Sequence, residues 1–247
     1  MPSATPYSKR QVNKAGALLR DVRVALRQRG DAAWDRFDGS EVADAIAIVD
    51  HWRGLHARPL ARVNAGLRYY IKRAGVDGPE VTQRLKRFST IVHKLEREQG
   101  MALTRMEDIG GVRAILQTQQ QALDVAQMLA DAKRWTIRRE RFYVDGMRPG
   151  PKDDGYRAVH LIVDKNGCFV EIQLRTPRQD VWAQSVEQDT RRLGAELKFG
   201  GGPSDLRAYY RASSEYLAMI EASIEPPQDF MEELAKLYAA SRRYFPS

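Results

Sequence analysis

Apolar positions along this chain follow two periods, and the switches between them outline the fold. Val12, Ala15, Leu19, Val22 and Leu26 fall three or four residues apart, which lines them along one helical stripe. Gly30 stands where such a helix would stop. A second stripe, Val42, Ile46, Val49 and Trp52, has Ser40 ahead of it as a cap. A third helix covers roughly Leu60 to Ala74 and ends at Gly75. Pro79 sits where a first-turn proline belongs, and predicts a fourth helix as far as Gly100. The pattern then changes. "IGGVRAIL" reads as a strand, "QQALDVAQMLADAKR" as an amphipathic helix and "WTIRRERFYV" as a basic strand. "AVHLIVDKNGCFVEIQLRT" is a hairpin that turns at Asn166-Gly167. Ahead of it, "DGMRPGPKDDGYR" packs three glycines and two prolines into a polar loop. The helical period returns in "PRQDVWAQSVEQDTRRLGAELK". A flexible "FGGGPSD" follows, then two helices parted by "EPPQD".

The order helices, strands, helices predicts an α/β (α+β) fold: one mixed β-sheet flanked by N- and C-terminal helices. The expected organisation is a helical region over residues 1–100, a core over 101–198 and C-terminal helices over 199–247, all in one compact unit. With no run of about 18 apolar residues there is no membrane span. The start, "MPSATPYSKRQ", lacks a secretory apolar stretch. One cysteine, Cys168, rules out an internal disulfide, and the four histidines show no metal-ligand spacing. A cytoplasmic protein is expected.

Charge sharpens this picture. Lys and Arg number 40 against 32 Asp and Glu, a net +8 that favours a polyanionic partner such as a nucleotide or nucleic acid. A basic surface kept for solubility is the plainer reading. In the last strand, Val170, Ile172 and Leu174 alternate with Glu171, Gln173 and Arg175, so an acid, an amide and a guanidinium line one face. Asp108 precedes another strand. Two carboxylates from neighbouring strands can hold Mg²⁺ beside a triphosphate, with surrounding Lys and Arg neutralising its oxygens. The loop adds Lys152 and an aromatic face, Tyr156, on which a base could stack. The row reads as one wall of a phosphoryl-transfer site.

Five stretches, "RLKRFSTIVHKL", "DIGGVR", "PKDDGYRAVH", "VEIQLRT" and "WAQSVEQ", stand in order between Arg84 and about Gln188. Together they resemble the motifs of the RelA/SpoT-type nucleotide pyrophosphokinases. The resemblance implies a nucleotidyltransferase-like sheet and transfer of pyrophosphate from ATP to a ribose 3′-hydroxyl. Asp108 and Glu171 would bind Mg²⁺, and Glu171 would also take the proton from the attacking hydroxyl. Arg84 and Arg113 would sandwich adenine, and Lys86, Thr90 and Lys94 would hold phosphates. Tyr156 would stack on the acceptor's base, with Lys152, His160, Gln173 and Arg175 around it. Three positions depart from the family pattern: Asp154 for Asn, Ala158 for Ser and Gln188 for His.

"IVDHWRGLHARPLARVNAGLR" resembles the N-terminal signature of the toxic small alarmone synthetase branch. That likeness implies the 3′-CCA end of tRNA as acceptor, inhibition of translation and a neutralising antitoxin. Arg20, Arg23 and Arg27 on one stripe, with Arg138 and Arg141 on the basic strand, would then track the RNA backbone. The alternatives are a synthetase making (p)ppGpp or (p)ppApp from GDP, GTP or adenosine nucleotides, and a catalytically inactive RNA-binding module. Assembly as a homo-oligomer is left open.

Overall fold

The computed structural model describes residues 6–194, 197 and 201–245. At its centre lies a five-stranded sheet of β1 (Glu80–Leu85), β2 (Gly110–Ile115), β3 (Thr136–Tyr143), β4 (Ala158–Lys165) and β5 (Cys168–Arg175), in the spatial order β1-β2-β5-β4-β3. Only β2 and β5 run parallel; the other neighbours are antiparallel. The expected mixed sheet is therefore present, and β4 and β5 form the expected hairpin. Asn166 and Gly167 at its tip both take positive φ, 58° and 79°, as a tight two-residue turn that matches the sheet twist requires.

Alternation gives the sheet two unlike faces. Val112, Ala114, Val159, Leu161, Val163, Val170, Ile172 and Leu174 point to one side and are almost fully buried. They pack against α3 (Ala57–Arg73) and α5 (Gln119–Asp131) in a single apolar cluster. At about 25 cal/mol per Å² of apolar surface removed from water, this face anchors the sheet. The opposite face is freed for polar chemistry.

A second cluster joins α1 (Lys9–Arg29), α2 (Gly39–Gly54) and α4 (Phe88–Arg97) through Val12, Leu19, Val49, Trp52, Ile91 and Leu95. A third gathers Trp182 and Val186 of α6 (Pro177–Leu193) with Leu206 and Tyr210 of α7 (Ser204–Glu221). The last helix, α8 (Gln228–Ser241), lies on α7.

Two expectations need correction. Residues 79–100 do not form one helix. Glu80–Leu85 is an edge strand paired with β2, and the helix starts only at Phe88. Pro79 fits just ahead of an edge strand as well as inside a first helical turn. The backbone bonds offered by β2, and the bond from Arg68 Nη2 to the Val81 carbonyl at 2.6 Å, settle the choice. The cap of α2 is Asp38, not Ser40: Asp38 Oδ1 accepts from the Ser40 amide at 2.7 Å. The expected "FGGGPSD" linker falls partly outside the described residues, at Phe199 and Gly200.

Candidate active site

The polar face of the sheet is assembled by register. Arg84 on β1 lies opposite Gly111 on β2, and Gly111 is level with Glu171 on β5. Arg113 is level with Gln173, and across the hairpin His160 is level with Gln173. Beyond them, Arg141 stands opposite His160, and Tyr143 opposite Ala158. Residues opposite one another share a face, so this row crosses all five strands. At its middle, a Cβ added to Gly111 would meet no atom within 4 Å. The floor between Arg84 and Glu171 is clear.

Arg84 and Arg113 are diagonal neighbours across β1 and β2, a separation of roughly 7–8 Å. That is about twice a van der Waals contact of 3.5–4.0 Å. That spacing is between backbones; the Arg113 guanidinium itself is held by Asp180 at 3.0 Å.

Asp108 lies just ahead of β2, clamped by two ammonium groups. Lys86 Nζ is 2.8 Å from one carboxylate oxygen and Lys94 Nζ 3.0 Å from the other. Burial alone would favour the neutral acid, but the two lysines override it and hold the Asp108 pKa below the ordinary carboxylate value. Lys86 belongs to the short link between β1 and α4. Its backbone is pinned by its own amide bond to the Ile109 carbonyl at 2.8 Å and by Arg53 Nε on its carbonyl, also at 2.8 Å. Thr90 is exposed in the first turn of α4. The residue that caps this helix, Arg87, makes no side-chain hydrogen bond to it, and the first turn holds no acid. Free N–H donors at such an end suit an anion.

Glu171 is held differently. His160 Nδ1 is 3.0 Å from Oε1, and Gln173 Nε2 donates to Oε2 at 2.7 Å. Burial again opposes charge, but these donors and the Lys94 ammonium lower its pKa to about 2. An ionised carboxylate only accepts, so His160 donates to it from Nδ1 and leaves Nε2 to its other partner. The Tyr156 hydroxyl lies 2.7 Å from that Nε2. Arg175 Nη2 in turn donates to the Tyr156 oxygen at 2.8 Å. One chain of polar contacts therefore runs Glu171–His160–Tyr156–Arg175. Burial is the main reason the Tyr156 phenol is pushed up to about 12, so it stays protonated and completes the chain.

Lys152 sits 4.9 Å above the Tyr156 ring and 4.7 Å above that of Tyr143. The loop that carries it is fixed from behind. Gly155 has φ +94°, and a Cβ there would come within 3.1 Å of Ser214 and Trp182 and 3.2 Å of the Arg211 backbone. Arg211 Nε donates to the Asp153 carbonyl at 2.7 Å, and Arg157 pairs with Asp145 at 3.0 Å. Of the departures noted in the sequence, Asp154 accepts from the Tyr156 amide at 2.9 Å, a turn bond that an asparagine oxygen would make as well. Ala158 is buried under Tyr143, and Gln188 is exposed.

Sequence reasoning overlooked three contributors. Asp180 on α6 is buried and faces Arg113 Nη1 at 3.0 Å and Arg175 Nη1 at 2.9 Å. Glu107 takes Arg141 at 2.8 Å and Arg139 at 3.1 Å. Tyr143 completes the aromatic wall, with its ring 5.4 Å from that of His160. Tyr143 had a readable signal, since it continues the alternation of Arg139 and Arg141. Asp180 had none, because a helix docked on the sheet brings it there.

The residues expected to track an RNA backbone do not form a free stripe. Arg23 and Arg27 both pair with the buried Glu96, at 2.6 and 2.9 Å. Arg20 pairs with Asp21 at 2.9 Å, Arg138 with Asp164 at 2.9 Å, and Arg141 with Glu107.

Known proteins share this fold. The solved small alarmone synthetase 2 from Bacillus subtilis superposes with a TM-score of 0.59 at 22% identity, covering 70% of this chain and 94% of that one. GTP pyrophosphokinase YjbM of Bacillus subtilis is 24% identical over 174 residues, 66% of this chain and 78% of its own length. An uncharacterised Mycobacterium tuberculosis protein, Rv1366, is 32% identical over 131 residues. That match spans 52% of this chain and under half, 45%, of the relative. Residues 83–191, which hold Arg84, Asp108, Arg113, Glu171 and the Glu171–His160–Tyr156–Arg175 chain of contacts, match the region found in RelA/SpoT proteins, and this chain carries that region.

Proposed function

We propose that the protein transfers pyrophosphate from ATP to the 3′-hydroxyl of a nucleotide ribose. The observation that carries the reading is the position of Lys94. It pairs with Asp108 at 3.0 Å and its charge also lowers the pKa of Glu171. One cation thus lies within electrostatic reach of both carboxylates. Two hard carboxylates completed by substrate phosphates suit Mg²⁺, so Asp108 and Glu171 would hold it, and the ion would neutralise charge on the triphosphate.

The donor side is then Arg84 and Arg113 around adenine, with Lys86, Lys94, Thr90 and the open end of α4 taking phosphate oxygens. The acceptor's base lies on Tyr156, near Lys152 and Tyr143. The acceptor's 3′-oxygen attacks the β-phosphorus of ATP. The bond from that phosphorus to the α-bridging oxygen breaks, AMP leaves, and the hydroxyl proton passes to Glu171. His160, fixed by Tyr156, orients the Glu171 carboxylate. Little covalent work falls to the protein, which positions the reactants and balances their charge.

On the acceptor, the ion pairs favour a free nucleotide such as GDP or GTP, because every arginine of the expected RNA track already has a carboxylate. The similar YjbM of Bacillus subtilis is named a GTP pyrophosphokinase. The tRNA 3′-end, with toxicity and an antitoxin, is the second reading. It draws on the net charge of +8 and on Lys9, Arg10 and Lys14, all exposed along α1. Purified protein incubated with γ-labelled ATP, Mg²⁺ and GDP, GTP or tRNA tests both. Labelled guanosine product with stoichiometric AMP is expected. Label on tRNA alone would promote the second reading, and no AMP release with any acceptor would sink the enzyme.

A further inference from the structure

On the far side of the sheet from Glu171 a cleft of about 400 Å³ opens between α3 and the region where β3 begins and β4 ends. One wall is a stripe of α3, with Arg62, Gly66 and Tyr69 three or four residues apart; the other is Arg134, Trp135 and Lys165. The alternation along β4 agrees with this placement. Lys165 shares the side of Leu161 and Val163, whereas His160 faces the candidate active site.

The cleft is built around its tryptophan. A Cβ on Gly66 would lie 2.6 Å from the Trp135 indole, so only glycine lets that ring come so close to α3. Tyr69, 48% exposed, forms a second aromatic surface, and the Arg134 guanidinium sits 5.9 Å over its ring. The charge is one-sided. Arg62, Arg134 and Lys165 converge here, no acid lines the cleft, and none of the three has a carboxylate within 4.0 Å among the described residues. On the active face, by contrast, Arg113, Arg141 and Arg175 are each paired with an acid. Three unneutralised cations beside one apolar hollow repel one another, and an anion would relieve that cost.

We propose that this cleft binds a nucleoside phosphate, with the base against Tyr69 and Trp135 and the phosphate among Arg62, Arg134 and Lys165. Its volume lies within the range of small-ligand pockets, about 300–1,000 Å³. Aromatic faces recognise any base by stacking, and guanidinium groups take the phosphate. The ligand is a free mononucleotide or one nucleotide of an RNA chain; the chemistry is shared. The site is independent of the pyrophosphokinase reading and would stand if that reading failed.

Full-length protein labelled with 5-fluorotryptophan gives a direct test. Trp135→Phe assigns the Trp135 resonance, and Trp182, packed on Gly155, reports the acceptor loop separately. Titration with AMP, GMP or a 5′-phosphorylated tetraadenylate should move the Trp135 signal saturably, and inorganic phosphate, the control, should not. Affinity should fall at least tenfold in the double variant Arg134→Glu, Lys165→Glu, and not in Asp108→Ala. Saturation by AMP or GMP assigns a free nucleotide, and saturation by the tetraadenylate alone assigns RNA. A Trp135 signal that stays still, that responds equally to phosphate alone, or that ignores the double variant overturns the site.

Discussion

Glu171, half-buried, and Asp180, buried, show how differently two carboxylates can serve one site. The folded-state pKa of Glu171 lies near 2, below the ordinary 4.5. Its charge therefore stabilises the fold in full above pH 4.5, and that contribution is lost as the pH falls toward 2. By linkage it is on the order of 3 kcal/mol. Urea unfolding of wild type and Glu171→Gln should show the widest stability gap at pH 7 and a shrinking one below pH 4; a constant gap would remove Glu171 as an ionised anchor. At neutral pH the same variant should remain folded and bind ATP, but release no AMP. Asp180 touches no expected substrate atom, yet it is the shared counter-charge of Arg113 and Arg175. Removing one partner of a buried pair commonly costs about 3–5 kcal/mol. Asp180→Asn should lose stability of that order and raise KM for both ATP and acceptor, because one guanidinium lies on each side. A rise confined to one substrate would show that the two sides are held separately. Glu171 could be read from strand alternation alone. Asp180 could not, since its role depends on where α6 docks.

The elements were legible to the extent that their periods were local. The hairpin, with its Asn166-Gly167 turn, and the helices α1, α3 and α5 follow directly from apolar spacing and turn chemistry. β1 did not, because "EVTQRL" carries one buried residue, Val81, in six, too little alternation to compete with the proline ahead of it. Its strand state comes from β2 beside it. The loop from Asp145 to Arg157 was legible as a loop, but not as a rigid one. Its shape comes from α7 and Trp182 pressing on Gly155. At that position φ is +94° and a Cβ would sit 3.1 Å from Ser214 and Trp182. Gly155→Ala should therefore displace Lys152 and Tyr156 together. Acceptor KM should rise by tenfold or more, while the ATP KM changes little, since Arg84, Lys86 and Lys94 lie on other elements. Equal changes in both constants would show that the loop also supports the donor side.

Across the whole molecule, the likeness of the N-terminal helices to the toxic branch, together with a net charge of +8, led the sequence reading toward tRNA, and the ion pairs that engage the expected arginine track favour a free nucleotide instead. Arg23 and Arg27 secure Glu96, whose side chain is 7% exposed, and so join α1 to α4, the helix that carries Thr90 and Lys94. Their first task in the fold is to neutralise a buried acid. Arg23→Ala with Arg27→Ala should lower the melting temperature by several degrees, because an uncompensated buried carboxylate is costly. At a temperature where the variant is folded, turnover of GDP or GTP should change by less than about threefold. A tRNA acceptor would behave differently. It meets a protein over many phosphates, and each phosphate neutralised adds roughly 0.7–0.9 to the slope of log affinity against log salt. A free nucleotide offers only two or three phosphates, all inside the site. Raising salt from 50 to 200 mM should therefore weaken the acceptor KM only modestly, and the arginine variant should show the same slope as wild type. A steep wild-type slope that flattens in the variant would return the acceptor to RNA and reassign Arg23 and Arg27 from holding Glu96 to holding a phosphate backbone.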